Sequence, residues 1–239
     1  MLNLPDIAQL VLAKYDVDLL KLLAENRRYR NMKLTYYVNQ IENESQMQFS
    51  AVTVQISKKL HFVSYRGTDN TLVGWKEDFN MSFTCPVPAQ KSAVEYLEQV
   101  ASKTTGELIL GGHSKGGNLA VYAAAFCKQA LQGRIATVYN FDGPGFSQKV
   151  IKAEGYINIC NKVTTYVPQS SIVGMLLEHE EKYTIIHSNQ LGIMQHDIYS
   201  WMVERNHLVT LREITNSSKV IDRTLKQLEA KTKTDRNAE

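Results

Sequence analysis

The chain contains few of the features that indicate a metal, redox or secreted protein. Its 239 residues include three cysteines, Cys85, Cys127 and Cys160, and no two of them have the C-x-x-C spacing of a zinc or redox site. The N-terminal residues lack a basic segment followed by an apolar stretch, which a secretory signal would require. The sequence therefore predicts a cytoplasmic protein with reduced thiols. We expect no metal and no other cofactor.

Long apolar runs and a strong charge of one sign are also missing. No stretch approaches the roughly 18 apolar residues of a membrane-spanning helix. The net charge of +3 is too weak to indicate nucleic acid as a partner, and the sequence does not indicate an oligomeric state. A hydrophobic content of 44% predicts a sizeable core. We expect a single domain over residues 1–239, with N-terminal helices and a first strand in about 1–47 and a C-terminal helix and frayed tail in about 215–239.

Strand patterns alternate with helix patterns along the chain. Short or alternating apolar runs predict strands at 34–38, 49–56, 61–65, 107–111, 137–142, 163–167 and, as the last strand, 182–187. Helical spacing predicts helices at 4–25, 90–100, 117–131 and 196–211, and a further one after residue 218. This alternation is typical of an α/β fold with a mostly parallel sheet covered by helices on both faces.

The most informative motif is the G-x-S-x-G pentapeptide that runs from Gly112 to Gly116. It lies between an apolar strand and a helix of small residues, which is the strand–turn–helix context of a nucleophile elbow. In such an elbow the serine occupies a tight turn, and flanking glycines let the strand and the helix approach closely. The alternative is a glycine-rich turn with an incidental serine. The context favours Ser114 as a nucleophile.

A serine nucleophile needs a histidine base, and in this fold the base follows the serine and the acid in the chain. His196 lies in a loop just beyond the last predicted strand, where a base can reach over the elbow. It is therefore the candidate base, with His187 at the end of that strand as the alternative. His196 could instead pack or cap the helix predicted after it.

The other four histidines fit the base less well. His61 precedes the elbow, and His113 lies within it and is expected to point away from Ser114. His179 belongs to the acidic stretch at 178–181, which we interpret as solvated surface. His207 falls inside a predicted helix.

The candidate acid is Asp142, which ends the strand after the elbow helix. A carboxylate at the end of the strand next to the nucleophile strand can reach a histidine beside the serine. The alternative is an aspartate that only initiates the turn at 143–145. Asp197 neighbours His196 but would have to fold back onto it. The third member of the triad is thus Asp142, Asp197 or none.

An oxyanion hole needs two donors. One is the backbone N–H after the nucleophile, which belongs to Lys115. The other comes from the loop after an earlier strand. In this chain that loop is Arg66-Gly67-Thr68, where Thr68 offers both its N–H and its hydroxyl.

At these residues the chain resembles the class 3 (fungal-type) lipase family. The resemblance rests on the segment V-S-Y-R-G-T-D at 63–69, on Trp75 and Asp78, on G-H-S-K-G-G at 112–117 and on His196. It implies an α/β-hydrolase fold, with Thr68 as oxyanion residue, Ser114 as nucleophile and His196 as base. The chain looks closer still to a bacterial family related to these lipases, with which it shares 75–79, 140–145 and 195–197.

Two positions depart from the lipase pattern. Family lipases usually carry leucine where this chain has Lys115, so we expect a cation beside the nucleophile. They also place the acid in a D-x-V-P segment, where this chain reads Ser171-Ile172-Val173-Gly174. Asp142 is therefore a candidate by its place in the fold and not by the resemblance.

The sequence as a whole predicts a serine esterase that acts on a lipid-like or short-chain ester through an acyl-enzyme. Residues 71–88 and 168–181 are expected to cover the site. Acyl-pocket candidates, which ordinary packing explains equally well, are Met81, Phe83, Val87, Met175, Leu176 and Leu177. A non-catalytic or regulatory protein that kept the fold, and a thioesterase or peptidase, are the alternatives.

Overall fold

The computed structural model describes residues 13–42, 44, 47–68 and 85–215. Several sequence predictions lie outside these residues. They are the start of the first helix, the helix after residue 218 with its frayed tail, and residues 71–84 of the segment 71–88 that is expected to cover the site. The motif positions Trp75 and Asp78 and the pocket candidates Met81 and Phe83 lie in that segment.

A central sheet organises the described structure. Its strands are β1 (Lys33–Glu42), β2 (Met47–Ser57), β3 (Leu60–Tyr65), β4 (Glu107–His113), β5 (Ile135–Phe141), β6 (Val163–Pro168), β7 (Tyr183–Ile186) and, at the far edge, β10 (Thr210–Leu211). They are ordered β1-β2-β3-β4-β5-β6-β7-β10. β3 to β7 are parallel, whereas β1, β2 and β10 pair antiparallel with their neighbours. A separate hairpin joins β8 (Val203–Glu204) to β9 (His207–Leu208). This mostly parallel sheet with its helices is the predicted α/β-hydrolase fold.

The helices of the described residues connect these strands. They are α1 (Ala13–Glu25), α2 (Pro88–Lys103), α3 (Lys115–Phe126), α4 (Gln129–Gln132), α5 (Gln148–Ile151) and α6 (Glu154–Cys160), with 3₁₀ turns at Val173–Met175, Gly192–His196 and Ile198–Ser200. Helices α2 and α6 flank α3, which packs on β4 and β5. The sequence pattern predicts no helix or strand in the region of α5 and α6.

Helix α3 is the centre of the core. Its small side chains bring the helix close to the sheet, and Leu119, Ala120 and Val121 are completely buried. Burial on this scale contributes roughly 1.5–3 kcal/mol for each large aliphatic side chain. Shortening Leu119 to alanine would cost about 2–5 kcal/mol, because a close-packed interior collapses only partly around a cavity.

Two predictions for the C-terminal part of the described chain were wrong. The strand at 182–187 is not the last, because β10 pairs with β7. The helix predicted at 196–211 is replaced by a 3₁₀ turn and short strands. The Asp197 carboxylate accepts the Tyr199 N–H at 2.9 Å and closes a single turn there. The β8–β9 hairpin then reverses at Arg205, whose φ of 55° suits a two-residue hairpin turn.

Candidate active site

Ser114 lies in a tight turn between β4 and α3, with φ 58° and ψ −132°. A positive φ is uncommon for a residue other than glycine. A Cβ on Gly112 would lie 2.4 Å from the carbonyl carbon of Gly116, and a Cβ on Gly116 would lie 2.2 Å from the Tyr65 carbonyl oxygen. Only glycine fits at these two flanks, because β3, β4 and the first turn of α3 meet there. The elbow geometry that the motif predicts is present.

Asp142 and His196 are in direct polar contact beside the elbow. The Asp142 Oδ2 lies 2.7 Å from the His196 Nδ1, and the Asp142 side chain is completely buried. Asp142 follows β5, the strand next to β4, and has φ 51°. Burial raises the pKa of this carboxyl, while hydrogen bonds from His196, Ser171 and Gly174 act in the opposite direction. The structure thus brings these two candidates together.

The elbow and His196 are linked through His113, the residue before Ser114. The His113 Nε2 lies 2.7 Å from the His196 carbonyl oxygen, and the two rings are 4.5 Å apart between centroids. His113 therefore turns toward the candidate base. Within the described part of the chain, neither the Ser114 hydroxyl nor the His196 Nε2 forms a hydrogen bond. Such catalytic contacts commonly tighten only when substrate binds.

His113 is unsuited to act as the base itself. Burial, with the neighbouring His196 as a second cause, lowers the pKa of His113 to about 4. Its ring is neutral at physiological pH. The Nε2 carries the proton, since the carbonyl oxygen that it faces can only accept.

Of the two predicted oxyanion residues, Lys115 directly follows Ser114 in the chain, and Thr68 follows a glycine that lies against the elbow. Gly67, directly before Thr68, is close enough that a Cβ would lie 2.8 Å from the His113 carbonyl oxygen. Lys115 begins α3 directly after Ser114. The expectation that its side chain places a cation beside Ser114 was wrong. The side chain is buried, and its Nζ donates to the Gln48 carbonyl oxygen at 3.1 Å.

The alternatives for acid and base take other positions. The Asp197 carboxylate is engaged by the Tyr199 N–H, as described above. His187 is exposed at the end of β7, and its backbone N–H pairs with Val209. Among the described residues, neither side chain forms a hydrogen bond or ion pair with Asp142 or the elbow.

The acidic stretch at 178–181, interpreted as solvated surface, is instead partly buried. The Glu181 carboxylate accepts hydrogen bonds from Tyr156 at 2.6 Å and from Thr165 at 2.8 Å, and it lies 2.9 Å from the His179 Nδ1. These bonds hold the pKa of Glu181 at about 2, although burial alone would raise it. The interpretation was wrong because the partners come from α6 and β6, far away in the sequence.

Two further residues contact the candidate acid. The Ser171 hydroxyl and the Gly174 N–H both donate to the Asp142 Oδ1, at 2.5 and 3.2 Å. In the sequence this segment stands out only because it lacks a carboxylate. A serine followed three residues later by glycine, directly after a strand, is a turn pattern that could have drawn attention to it.

Across the described residues there is no group of three or more histidine, cysteine, aspartate or glutamate side chains that could hold a metal. In the same part of the chain, no helix is long and apolar enough to cross a membrane.

Solved structures with a similar fold include several lipases. A deletion mutant of Rhizomucor miehei lipase in complex with its propeptide is 14% identical, with a TM-score of 0.50 over 70% of this chain and 66% of that chain. A fungal lipase–inhibitor complex is 14% identical, with a TM-score of 0.47 over 67% and 68% of the two chains. A triacylglycerol lipase from Penicillium expansum is 11% identical, with a TM-score of 0.45 over 79% and 86%. At such identities the likeness concerns the fold alone.

The chain spans about two thirds of the length of the first two of these lipases. No curated protein matches it in a sequence comparison. The sequence profile of one family, described as Mbeg1-like, matches residues 23–239. The protein therefore belongs to the Mbeg1-like family and has a lipase-like fold.

Proposed function

We propose that this protein is a serine hydrolase that cleaves carboxylic esters through an acyl-enzyme. The observation that carries the proposal is the 2.7 Å contact between Asp142 and His196 beside the elbow of Ser114. Ser114, Asp142 and His196 follow one another in the chain order serine, acid, histidine, which is typical of this fold. The lipase-like fold supports an ester as the substrate class.

In the proposed reaction the Ser114 Oγ attacks the ester carbonyl carbon, and His196 takes the hydroxyl proton on its Nε2. Asp142 holds the other ring nitrogen and stabilises the imidazolium that forms. The backbone N–H of Lys115 and Thr68 donate to the developing oxyanion. When the tetrahedral intermediate collapses, His196 gives its proton to the leaving alcohol. A water molecule then attacks the acyl-enzyme by the same route and frees the acid.

We propose a lipid-like or short-chain acyl ester as the substrate. The segment directly before the base is apolar and faces solvent, with Leu191, Ile193 and Met194 at 84%, 54% and 60% exposure. Of the segments expected to cover the site, 168–181 packs its Ser171–Gly174 turn against the acid, and Met175 to Leu177 are half-buried. Val87 is buried.

We also propose that residues 1–239 form a single domain and that the protein is located in the cytoplasm. All three cysteines are unpaired, which fits reduced thiols. The modest net charge gives no reason to add nucleic acid as a partner.

Labelling with a fluorophosphonate probe tests the mechanism. The wild type should be labelled, Ser114→Ala should lose all label, and His196→Ala should lose nearly all of it. Ser102→Ala, which removes an exposed hydroxyl in α2 that is bonded to a carbonyl one turn earlier, is the matched control and should label normally. Label that persists in Ser114→Ala would contradict the proposal.

Turnover separates the ester hydrolase from its alternatives. Nitrophenyl esters of increasing acyl length should be hydrolysed by the wild type and not by Ser114→Ala. Hydrolysis of acyl thioesters or peptides in preference to these esters would indicate a thioesterase or peptidase. No turnover and no label would indicate a binding or regulatory protein that kept the fold.

A further inference from the structure

The two oxygens of the Asp142 carboxylate have separate partners. Oδ2 contacts the His196 Nδ1 at 2.7 Å, and Oδ1 accepts the Ser171 hydroxyl and the Gly174 N–H. Ser171 and Gly174 belong to one tight turn after β6, which we call the Ser171–Gly174 turn. The carboxylate is thus fixed from the side opposite to the histidine.

The hydrogen bonds of this turn agree on the direction of the Ser171 hydroxyl. The Gly174 N–H also lies 3.1 Å from the Ser171 Oγ and donates to it. Because the Ser171 hydroxyl accepts from Gly174, its own hydrogen points to another acceptor. That acceptor is the Asp142 Oδ1, which lies 2.5 Å away. Asp142 itself has a φ of 51°. The turn opposite its carboxylate limits rotation of its side chain, because both donors hold the same oxygen.

Space at Gly174 supports the same conclusion independently. A Cβ at this residue would lie 2.2 Å from the Asp142 Oδ1, 2.9 Å from Val167 and 3.0 Å from the Ser171 Oγ. Real Cβ atoms do not approach so closely. The backbone of the turn therefore fits closely around the carboxylate.

We propose that Ser171 is a positioning residue that holds Asp142 with its Oδ2 toward His196. Ser171 occupies the segment where class 3 lipases carry their acid, and in this chain the acid stands on the neighbouring strand. The inference rests on the proposed function, since it assigns Ser171 a role in the same triad.

The expected effect concerns turnover and not substrate binding. In Ser171→Ala the carboxylate loses its hydroxyl donor, and its Oδ1 is held by the longer bond from the Gly174 N–H alone. We expect kcat to fall by about 10²-fold at most, because small misplacements of catalytic groups have effects of this size, and KM to stay unchanged. Removing a donor to the carboxylate raises the proton affinity of the Asp142–His196 pair. The acid limb of the kcat/KM profile should therefore move to higher pH.

Three further variants make the test specific. Ser171→Thr keeps the hydroxyl and should restore the pH profile and most of kcat. Ser171→Cys keeps nearly the same volume but replaces the hydroxyl with a weak donor, so it should behave like Ser171→Ala even if the alanine variant folds poorly. Thr53→Val removes a buried hydroxyl in β2 that bonds Tyr96 at 2.9 Å, and it should leave kcat and the pH profile unchanged.

Proton NMR of the His196 Nδ1–H separates this inference from the proposed function. The low-field resonance of this proton reports the bond to Asp142 whether or not the protein hydrolyses esters. It should weaken or shift in Ser171→Ala and Ser171→Cys and stay in place in Ser171→Thr and Thr53→Val. An unlabelled, inactive wild type would reject the ester hydrolase. An unchanged resonance and pH profile in both Ser171→Ala and Ser171→Cys would overturn the positioning role.

Discussion

His113 donates a hydrogen bond from its ring Nε2 to the backbone carbonyl of His196, at 2.7 Å. The residue before the proposed nucleophile therefore holds the backbone of the proposed base. Since the pKa of His113 is lowered to about 4, this bond keeps the same donor and acceptor throughout the neutral pH range. The elbow thus fixes both Ser114 and the loop that brings His196 to it.

Replacing His113 with glutamine should change how stability depends on pH. The unfolded chain binds a proton at His113 below about pH 6.5, whereas the folded chain does so only near pH 4. The wild type should therefore lose stability as the pH falls through this window, by roughly 3 kcal/mol at its lower end. His113→Gln lacks this loss. Urea unfolding of both proteins at several pH values measures the difference, and parallel profiles would contradict the assignment.

Asp142→Asn should lower kcat by about 10⁴-fold. Ser171 and Gly174 both donate, so the amide oxygen of the new side chain must face them. Its NH₂ group then donates to the His196 Nδ1, so the neutral ring carries its proton on Nε2. A protonated Nε2 cannot take up the serine proton. Asp197→Asn is the matched control, because asparagine also caps a helical turn. Ester turnover of both variants checks the prediction, and a comparable loss in the control would count against it.

Moving the carboxylate across to the Ser171–Gly174 turn should recover part of the activity. In Asp142→Ala combined with Ser171→Asp, the new side chain extends into space that the old one leaves, since Ser171 Oγ and Asp142 Oδ1 are 2.5 Å apart. We expect turnover about tenfold above that of Asp142→Ala alone. The recovery is only partial because the new carboxylate does not reach the exact position of the native one. Asp142→Ala combined with Ser170→Asp adds the same charge where the hydroxyl bonds Thr215, and it should recover nothing.

Glu181→Gln should remove a part of the stability that is present only above acid pH. The carboxyl titrates near pH 4.5 when unfolded and near pH 2 when folded. Its contribution, roughly 3 kcal/mol, is therefore present above pH 4.5 and disappears as the pH falls toward 2. Thermal unfolding of the wild type and Glu181→Gln should differ at neutral pH and converge in acid. Glu180→Gln changes an exposed neighbour and should resemble the wild type throughout.

The parts of the site that could be predicted from the sequence are those that chain order and strand ends determine. Ser114 was recognisable because the glycines around it are required by close contacts of the backbone. The place of Asp142 followed from the rule that functional groups collect at the carboxyl ends of parallel strands. Its contact with His196 bears out that geometry, while the catalytic roles stay predictions.

The parts that could not be predicted depend on partners distant in the sequence. The neighbours of Glu181 and His179 in the chain are charged, which predicts a solvated surface. In the fold, Tyr156 and Thr165 donate to the Glu181 carboxylate, and His179 lies 2.9 Å from the same carboxylate. The helix predicted at 196–211 failed for a similar reason. The Trp201 indole N–H bonds the Gln195 carbonyl oxygen at 2.9 Å inside the protein, a contact that helical spacing does not reveal.

The order of strands in the main sheet has a consequence for how the site is assembled. Neighbouring strands in the sheet follow one another in the chain, apart from the small β8–β9 hairpin. We expect a chain that emerges from the ribosome to add strands one after another, so that the elbow forms first, the acid next and the histidine last. The proposed nucleophile would then exist for a time without its proposed base. A growing chain would carry Ser114 without this partner until the residues around His196 had been made.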